Sequence, residues 1–246
     1  MKNVIAWSAA MLFLLAVWGV AYFCVGNALL VPAISDCLRS LGALLVSGAF
    51  WRAFFFTLLR VGIAFVISFA LAAIFAVIAY LVPWFGRFVA PLVSVLRSTP
   101  TLAVLLILLA WTSGFVAPVA VAVMTLFPVL YTGLYAALLQ TDVKLIEMSR
   151  VYKVPIKRQI VALYVPSVLP TAVRQGGAAL ALGLKLVASA EVLAATARSI
   201  GGMMQEAKVY LDMPLLFALV TVTFAAGLLV EALFTWAATA VERRVK

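Results

Sequence analysis

A chain of 246 residues that is 67% hydrophobic and only 11% charged has too little polar surface to cover a soluble core of its size. With a mean hydropathy of +1.23 it reads as an all-α, polytopic membrane protein. Its net charge of +10 gathers in a few short loops, a membrane-topology pattern rather than a nucleic-acid footprint, and the absence of histidine excludes histidine-ligated metals and histidine general bases.

Spanning helices need roughly 20 apolar residues each. The first is expected over residues 4–25, a run too long for a signal-peptide core and lacking an A-x-A site, so it is read as a retained helix. A connection from Gly26 to Arg52 follows, with a short interfacial helix over Leu41–Phe50. Cys24 and Cys37 flank this connection, either as free apolar thiols or as a disulfide if the loop faces an oxidising compartment. Further spans are expected over 54–82, 88–111, 119–139, 171–195 and 215–238, within a single domain covering 1–246. The third carries Arg97-Ser98-Thr99-Pro100, where the proline should break or kink the backbone. A loop from Thr196 to Pro214 precedes the last span.

The basic residues set the expected sidedness. Lys2, Arg87, the basics between Lys144 and Arg174, Arg243, Arg244 and Lys246 fall on one side, against Arg39, Arg52, Arg198 and Lys208 on the other. Both termini and the connection over 140–170 are therefore expected to be cytoplasmic.

That connection, Thr141 to Pro170, is a charged interruption in an apolar chain. Thr141 is a candidate N-cap, and Asp142 places a carboxylate in the first turn. Leu145, Met148 and Val151-Tyr152 recur at helical spacing. Pro155 should stop this helix and start a second, with Ile156, Ile160 and Leu163-Tyr164 as its apolar stripe. Pro166 and Pro170 should end the loop. Two short amphipathic helices backed onto the bundle suit either a cytosolic partner or anionic headgroups.

Glu147-Met148-Ser149-Arg150-Val151-Tyr152-Lys153-Val154, followed by Val165-Pro166, resembles the "EAA" loop of ATP-binding-cassette importer permeases. Thr57-Leu58-Leu59-Arg60, Leu96 to Pro100, Glu191, Ser199-Ile200-Gly201-Gly202 and the ending Glu231 to Arg244 are similar to stretches of the nitrate/sulfonate/taurine-type branch. Met148 and Ser149 stand where the family has alanines, Lys153 where it has glycine, and Val165 where it has leucine. If that glycine ends the helix in a left-handed conformation, Lys153 carries a penalty of about 1 kcal/mol.

The resemblance implies a MetI-like type I importer permease fold with six spans in a bacterial inner membrane. It implies a second permease subunit, expected to be a second copy, a cytosolic ATPase dimer and an extracytoplasmic solute-binding protein. The chain has no Gly-x-x-x-x-Gly-Lys-[Ser/Thr] loop, so ATP would be held by the partner and no cofactor by the chain itself. Glu147, Met148, Ser149, Lys153 and Pro155 are the implied ATPase-coupling positions, Glu147 ordering the loop by local pairing or capping.

Charges inside spans need a partner or a water-lined path, because each costs roughly 2.5–3.5 kcal/mol on insertion scales. Lys185 and Glu191, six residues apart, do not share a helix face. Lys185 lines a pathway for an anionic solute, or pairs across a dimer, or snorkels. Arg97, Ser98 and Thr99 offer donors beside the Pro100 break. These four residues and Glu191 form the candidate translocation pathway, while Arg60 and Glu231 read as structural or interfacial. The expected activity is import of a small solute, leaning to anions such as nitrate, sulfonates or taurine, by alternating access and without catalytic or metal-binding residues. The rival is a proton-coupled secondary transporter, which would place substrate-coupled acids near the midplane.

Overall fold

In the computed structural model, residues 2–27 and 29–245 are described, with side chains for 12–13, 15–27 and 29–243. The side chains of Lys2, Arg244 and Lys246, used above for sidedness, and those of the first residues of the 4–25 span lie outside that set. The described residues are helical throughout their regular elements: α1 (Lys2–Val25), α2 (Ile34–Val46), α3 (Gly48–Leu81), α4 (Pro83–Ser98), α5 (Thr101–Trp111), α6 (Val116–Leu139), α7 (Val143–Val151), α8 (Ile156–Gln159), a π turn (Ile160–Tyr164), α9 (Val165–Leu193), α10 (Ile200–Val209) and α11 (Met213–Val245).

Helices α3, α6 and α9 form the centre, α11 packs along α9, and α2 packs on α11. The centre is tight because α3 turns a stripe of small residues inward. Ala53, Thr57, Val61, Ala64, Ser68, Ala72, Ala76 and Ala79 are all buried at three- and four-residue spacing, which lets backbones approach closely. Helix α1 is tied on by the Trp18 indole, which donates to the Pro32 carbonyl at 3.2 Å and packs against Phe217.

Four of these helices are long and apolar enough to cross a membrane: Gly48–Leu81, Val116–Leu139, the unbroken run Ile156–Leu193 and Met213–Arg243. Helices α4 and α5 meet the same measure only as a pair, which would bring the spans to five, and they are bent by 89° at Thr99-Pro100, where the proline ring forbids a straight continuation. The start of α4 lies beside Ala79 and Tyr135, and the linker after α5 reaches Thr196, so this broken pair joins the two ends of the bundle.

Several boundaries differ from expectation. The short helix after the first span covers Ile34–Val46 rather than Leu41–Phe50, and the next helix starts at Gly48, ahead of the expected 54. Helix α2 turns Cys37 and Leu44 inward, and Cys24 and Cys37 are separate thiols. Burial, with the Asp36 carboxylate adding to it, pushes the Cys37 thiol up, so it stays protonated. The expected loop from Thr196 to Pro214 contains α10. Finally, Pro166 and Pro170 do not end the charged connection: the helix begun at Ile156 runs to Leu193. Pro166 has no N–H and would clash with the carbonyl four residues back. Widening the turn just before it to π geometry carries the helix past.

Candidate functional site

Three groups of residues are candidates for function, and the bundle holds them at different depths. The first is α7, at the end of the bundle where α6 meets α8. Its N-cap is Asp142 rather than Thr141: the Asp142 carboxylate accepts from the Lys144 N–H at 2.9 Å, while Thr141 is buried. Its C-terminus is a Schellman closure, in which the Lys153 N–H donates to the Arg150 carbonyl at 3.0 Å and the Val154 N–H to the Ser149 carbonyl at 2.9 Å. That closure puts Lys153 at φ 50°, the left-handed conformation glycine adopts freely. The same closure recurs after α9 and α10, with Ala195 and Leu211 at the left-handed position.

Helix α7 has two faces. Ile146 and Ser149 are buried against the chain, and the Ser149 hydroxyl donates to the Ile146 carbonyl at 2.7 Å. Ser149 therefore sits on the inward face, away from the contact set in which it was expected. Met148, Lys153 and Pro155 are exposed, together with Leu145, Val151 and Tyr152, the last at 75%. Glu147 is exposed too and, among the described residues, makes no hydrogen bond or ion pair. The capping expected of it falls to Asp142.

The second group is a buried polar knot at the opposite, α10 end. Glu191 is wholly buried. Arg60 Nη1 donates to Glu191 Oε1 at 2.8 Å, Thr57 Oγ1 to Oε2 at 2.8 Å and the Gly201 N–H to Oε2 at 3.3 Å. The Ile200 N–H donates to Thr57 Oγ1 at 3.0 Å, and the Arg60 guanidinium stacks on Phe115 at 4.9 Å. One carboxylate thus ties α3, α9 and the first turn of α10 together, where the helix dipole also favours an anion. Ser199 caps α10 by accepting from the Gly202 N–H at 2.8 Å. The glycine pair is required by space: a Cβ on Gly201 would lie 2.4 Å from Glu191 Cβ, and one on Gly202 would lie 2.1 Å from the Thr196 carbonyl. Arg60 and Thr57 were not among the expected site residues. The available signal was a pair of opposite charges in apolar helices, both toward the same end.

Glu191 accordingly does not line an open surface of this chain, as a pathway residue would. Lys185 does. It is exposed and, among the described residues, has no ion-pair partner. It stands in a stripe of α9 comprising Ser167, Arg174, Ala178, Lys185 and Ser189, all exposed on one helix face while the opposite face is buried. Arg174 pairs with Glu242 of α11. Arg97 reaches across from α4, donating from Nη2 to Thr132 Oγ1 at 2.6 Å and to the Pro128 carbonyl at 3.4 Å. Ser98 is exposed, but its hydroxyl and that of Thr99 both turn back to the Val95 carbonyl. Gly133 meets Gln175 and Gly183 meets Leu126, so Arg97 sits nearer the α7 end than Lys185 by on the order of 10 Å. The structure thus separates the expected pathway set into an exposed cationic surface and a buried anchor.

The family described as "binding-protein-dependent transport system inner membrane component" matches residues 68–246. No curated protein sequence matches the chain. Among solved structures, an amino acid ABC transporter with histidines shares the fold with a TM-score of 0.63 at 16% identity, over 83% of this chain and 97% of that one. An inward-facing MetNI methionine ABC transporter does so with a TM-score of 0.57 at 21% identity, over 82% and 96%.

Proposed function

The chain belongs to the family of binding-protein-dependent transport system inner membrane components, and from that premise we propose that two copies of it enclose the solute path of an ATP-driven importer. The exposed apolar face of α7 carries the reading. Leu145, Met148, Val151 and Tyr152 are exposed at the end of the bundle, and a cytosolic ATPase dimer is the partner such a knuckle would seat. Glu147, Lys153 and Pro155 rim that contact. This end is cytoplasmic, with both termini, and the membrane is the bacterial inner membrane. A solute-binding protein delivers cargo at the α10 end. Leu145→Asp with Met148→Asp should leave the protein in the membrane but cut ATP-driven uptake at least about tenfold, since two apolar anchors of a docked interface are lost. Uptake at the wild-type level would remove the ATPase from this face. Uptake abolished instead by dissipating the proton gradient would favour the secondary-transporter reading.

Burial of Glu191 supports the ATP-driven reading over that rival. A proton-coupled site needs an acid open to water or solute, and this one is enclosed and hydrogen-bonded on both oxygens.

The α9 stripe is the path lining. Facing hydrocarbon, Lys185 would cost roughly 2.5–3.5 kcal/mol, so water or a second copy covers it. Paired with its symmetry mate, and with Arg97 deeper, it gives a cationic path suited to small anions such as nitrate, sulfonates or taurine. The amino acid and methionine transporters whose fold it shares carry solutes with a carboxylate, which the same lysine would attract. Lys185→Glu should lower taurine or nitrate uptake at least tenfold while Lys185→Arg retains it. Equal uptake by both variants would take Lys185 out of the path.

A further inference from the structure

At the α7 end, between α3, α6 and the beginning of the long helix, lies a groove of about 410 Å³, within the ~300–1,000 Å³ range of ligand pockets. Phe69, Ala73, Val77, Leu134, Leu169 and Ala172 line it, and so do Ile160 and Tyr164 of the π turn. Its lining residues are apolar apart from the two tyrosines, and Tyr80 and Tyr164 meet edge to face across it at 5.8 Å. The mouth is basic. Ile156 lines the groove, and the next two residues, Lys157 and Arg158, are exposed on α8, which carries no acid.

An apolar slot with cations at its rim fits an amphiphile with an anionic head. The slot follows α3 from Leu81 to Phe69, about 18 Å at 1.5 Å per residue, into the membrane and beyond the reach of a cytosolic protein. We propose that it binds one acyl chain of an anionic phospholipid from the leaflet at the α7 end, with the phosphate held by Lys157 and Arg158. Basic clusters at the ends of spanning helices attract anionic lipid in this way, at about 1 kcal/mol per Lys or Arg. The bound chain braces the π turn and α8 against α3. This inference does not depend on the identity of the transported solute or on ATP coupling.

The test is native mass spectrometry of the full chain released from phosphatidylcholine nanodiscs containing a minority of phosphatidylglycerol. Wild type should keep one phosphatidylglycerol per chain, enriched over the bulk. Ala172→Phe, or Ala73→Leu from the opposite wall if the first variant loses helix content, fills the groove and should lose that lipid. Lys157→Gln with Arg158→Gln should keep a lipid but reduce its preference for phosphatidylglycerol by about thirtyfold. A bound complement that mirrors the bulk mixture, or that is unchanged in the groove-filled variants, overturns the proposal. So does efficient cross-linking of Val77→Cys between two copies, which would show another chain in the slot.

Discussion

Glu191→Gln is expected to lower the midpoint of thermal unfolding of the solubilised protein by about 10 °C. The amide keeps an acceptor for Thr57 and the Gly201 N–H but removes the charge opposite Arg60, whose guanidinium is buried. Breaking a buried pair from one side costs about 3–5 kcal/mol, because the remaining ion is neither solvated nor matched, and a chain of this size loses ~2–4 °C per kcal/mol. The second arm is decisive. Arg60→Met combined with Glu191→Gln removes both charges and keeps the hydrogen bonds to α10, so the double variant should be more stable than Glu191→Gln alone. A double variant no better than the sum of the two singles would mean that the two charges do not stabilise each other.

Gly177→Leu should be the most damaging single change along the α9–α11 crossing, and Gly177→Ala already costly. A Cβ there would lie 2.2 Å from Phe234 Cβ and 2.9 Å from its Cγ. Phe234 Cβ is fixed to the backbone, so no rotamer change relieves the clash and the helices must separate. Overpacking of this kind costs about 1–3 kcal/mol, sometimes more. The adjacent Gly176 is the control. Its Cβ would meet the tip of the Phe65 ring at 3.4 Å and Phe234 Cε1 at 4.0 Å, ordinary contact distances to ring atoms, so Gly176→Ala should be nearly neutral or slightly stabilising through helix propensity. Equal losses at the two positions, measured by thermal stability in the same detergent, would refute the close-contact explanation.

Much of the architecture was legible in the order of residues. Hydropathy located the spans ending near Leu81 and Leu139, and the Pro100 break announced the bend between α4 and α5. The left-handed Lys153 followed from its place in a loop pattern that calls for glycine. What was not legible depended on contacts between segments distant in the chain. Gly201 and Gly202 fell within the expected loop from Thr196 to Pro214, yet both serve as the close-packed first turn of a helix. Pro166 read as a stop, and only the π turn before it, packed against α3, lets the helix continue. The Arg60–Glu191 pair spans 131 positions, and no local periodicity connects them. Ser149 looked like a contact residue by motif position, but the helical phase set by Ile146 turned it inward.

The run from Ile156 to Leu193 has 38 residues, and as one rod it is about 57 Å long at 1.5 Å per residue. Its far end is bolted to α3 and α10 through Glu191, and its near end is the segment that follows α7. Tilted as a unit, such a rod would act as a lever arm rather than a chain of joints. A tilt of about 5° imposed at α8 sweeps the far tip through roughly 5 Å, enough to change the clearance around Lys185 without any helix having to melt.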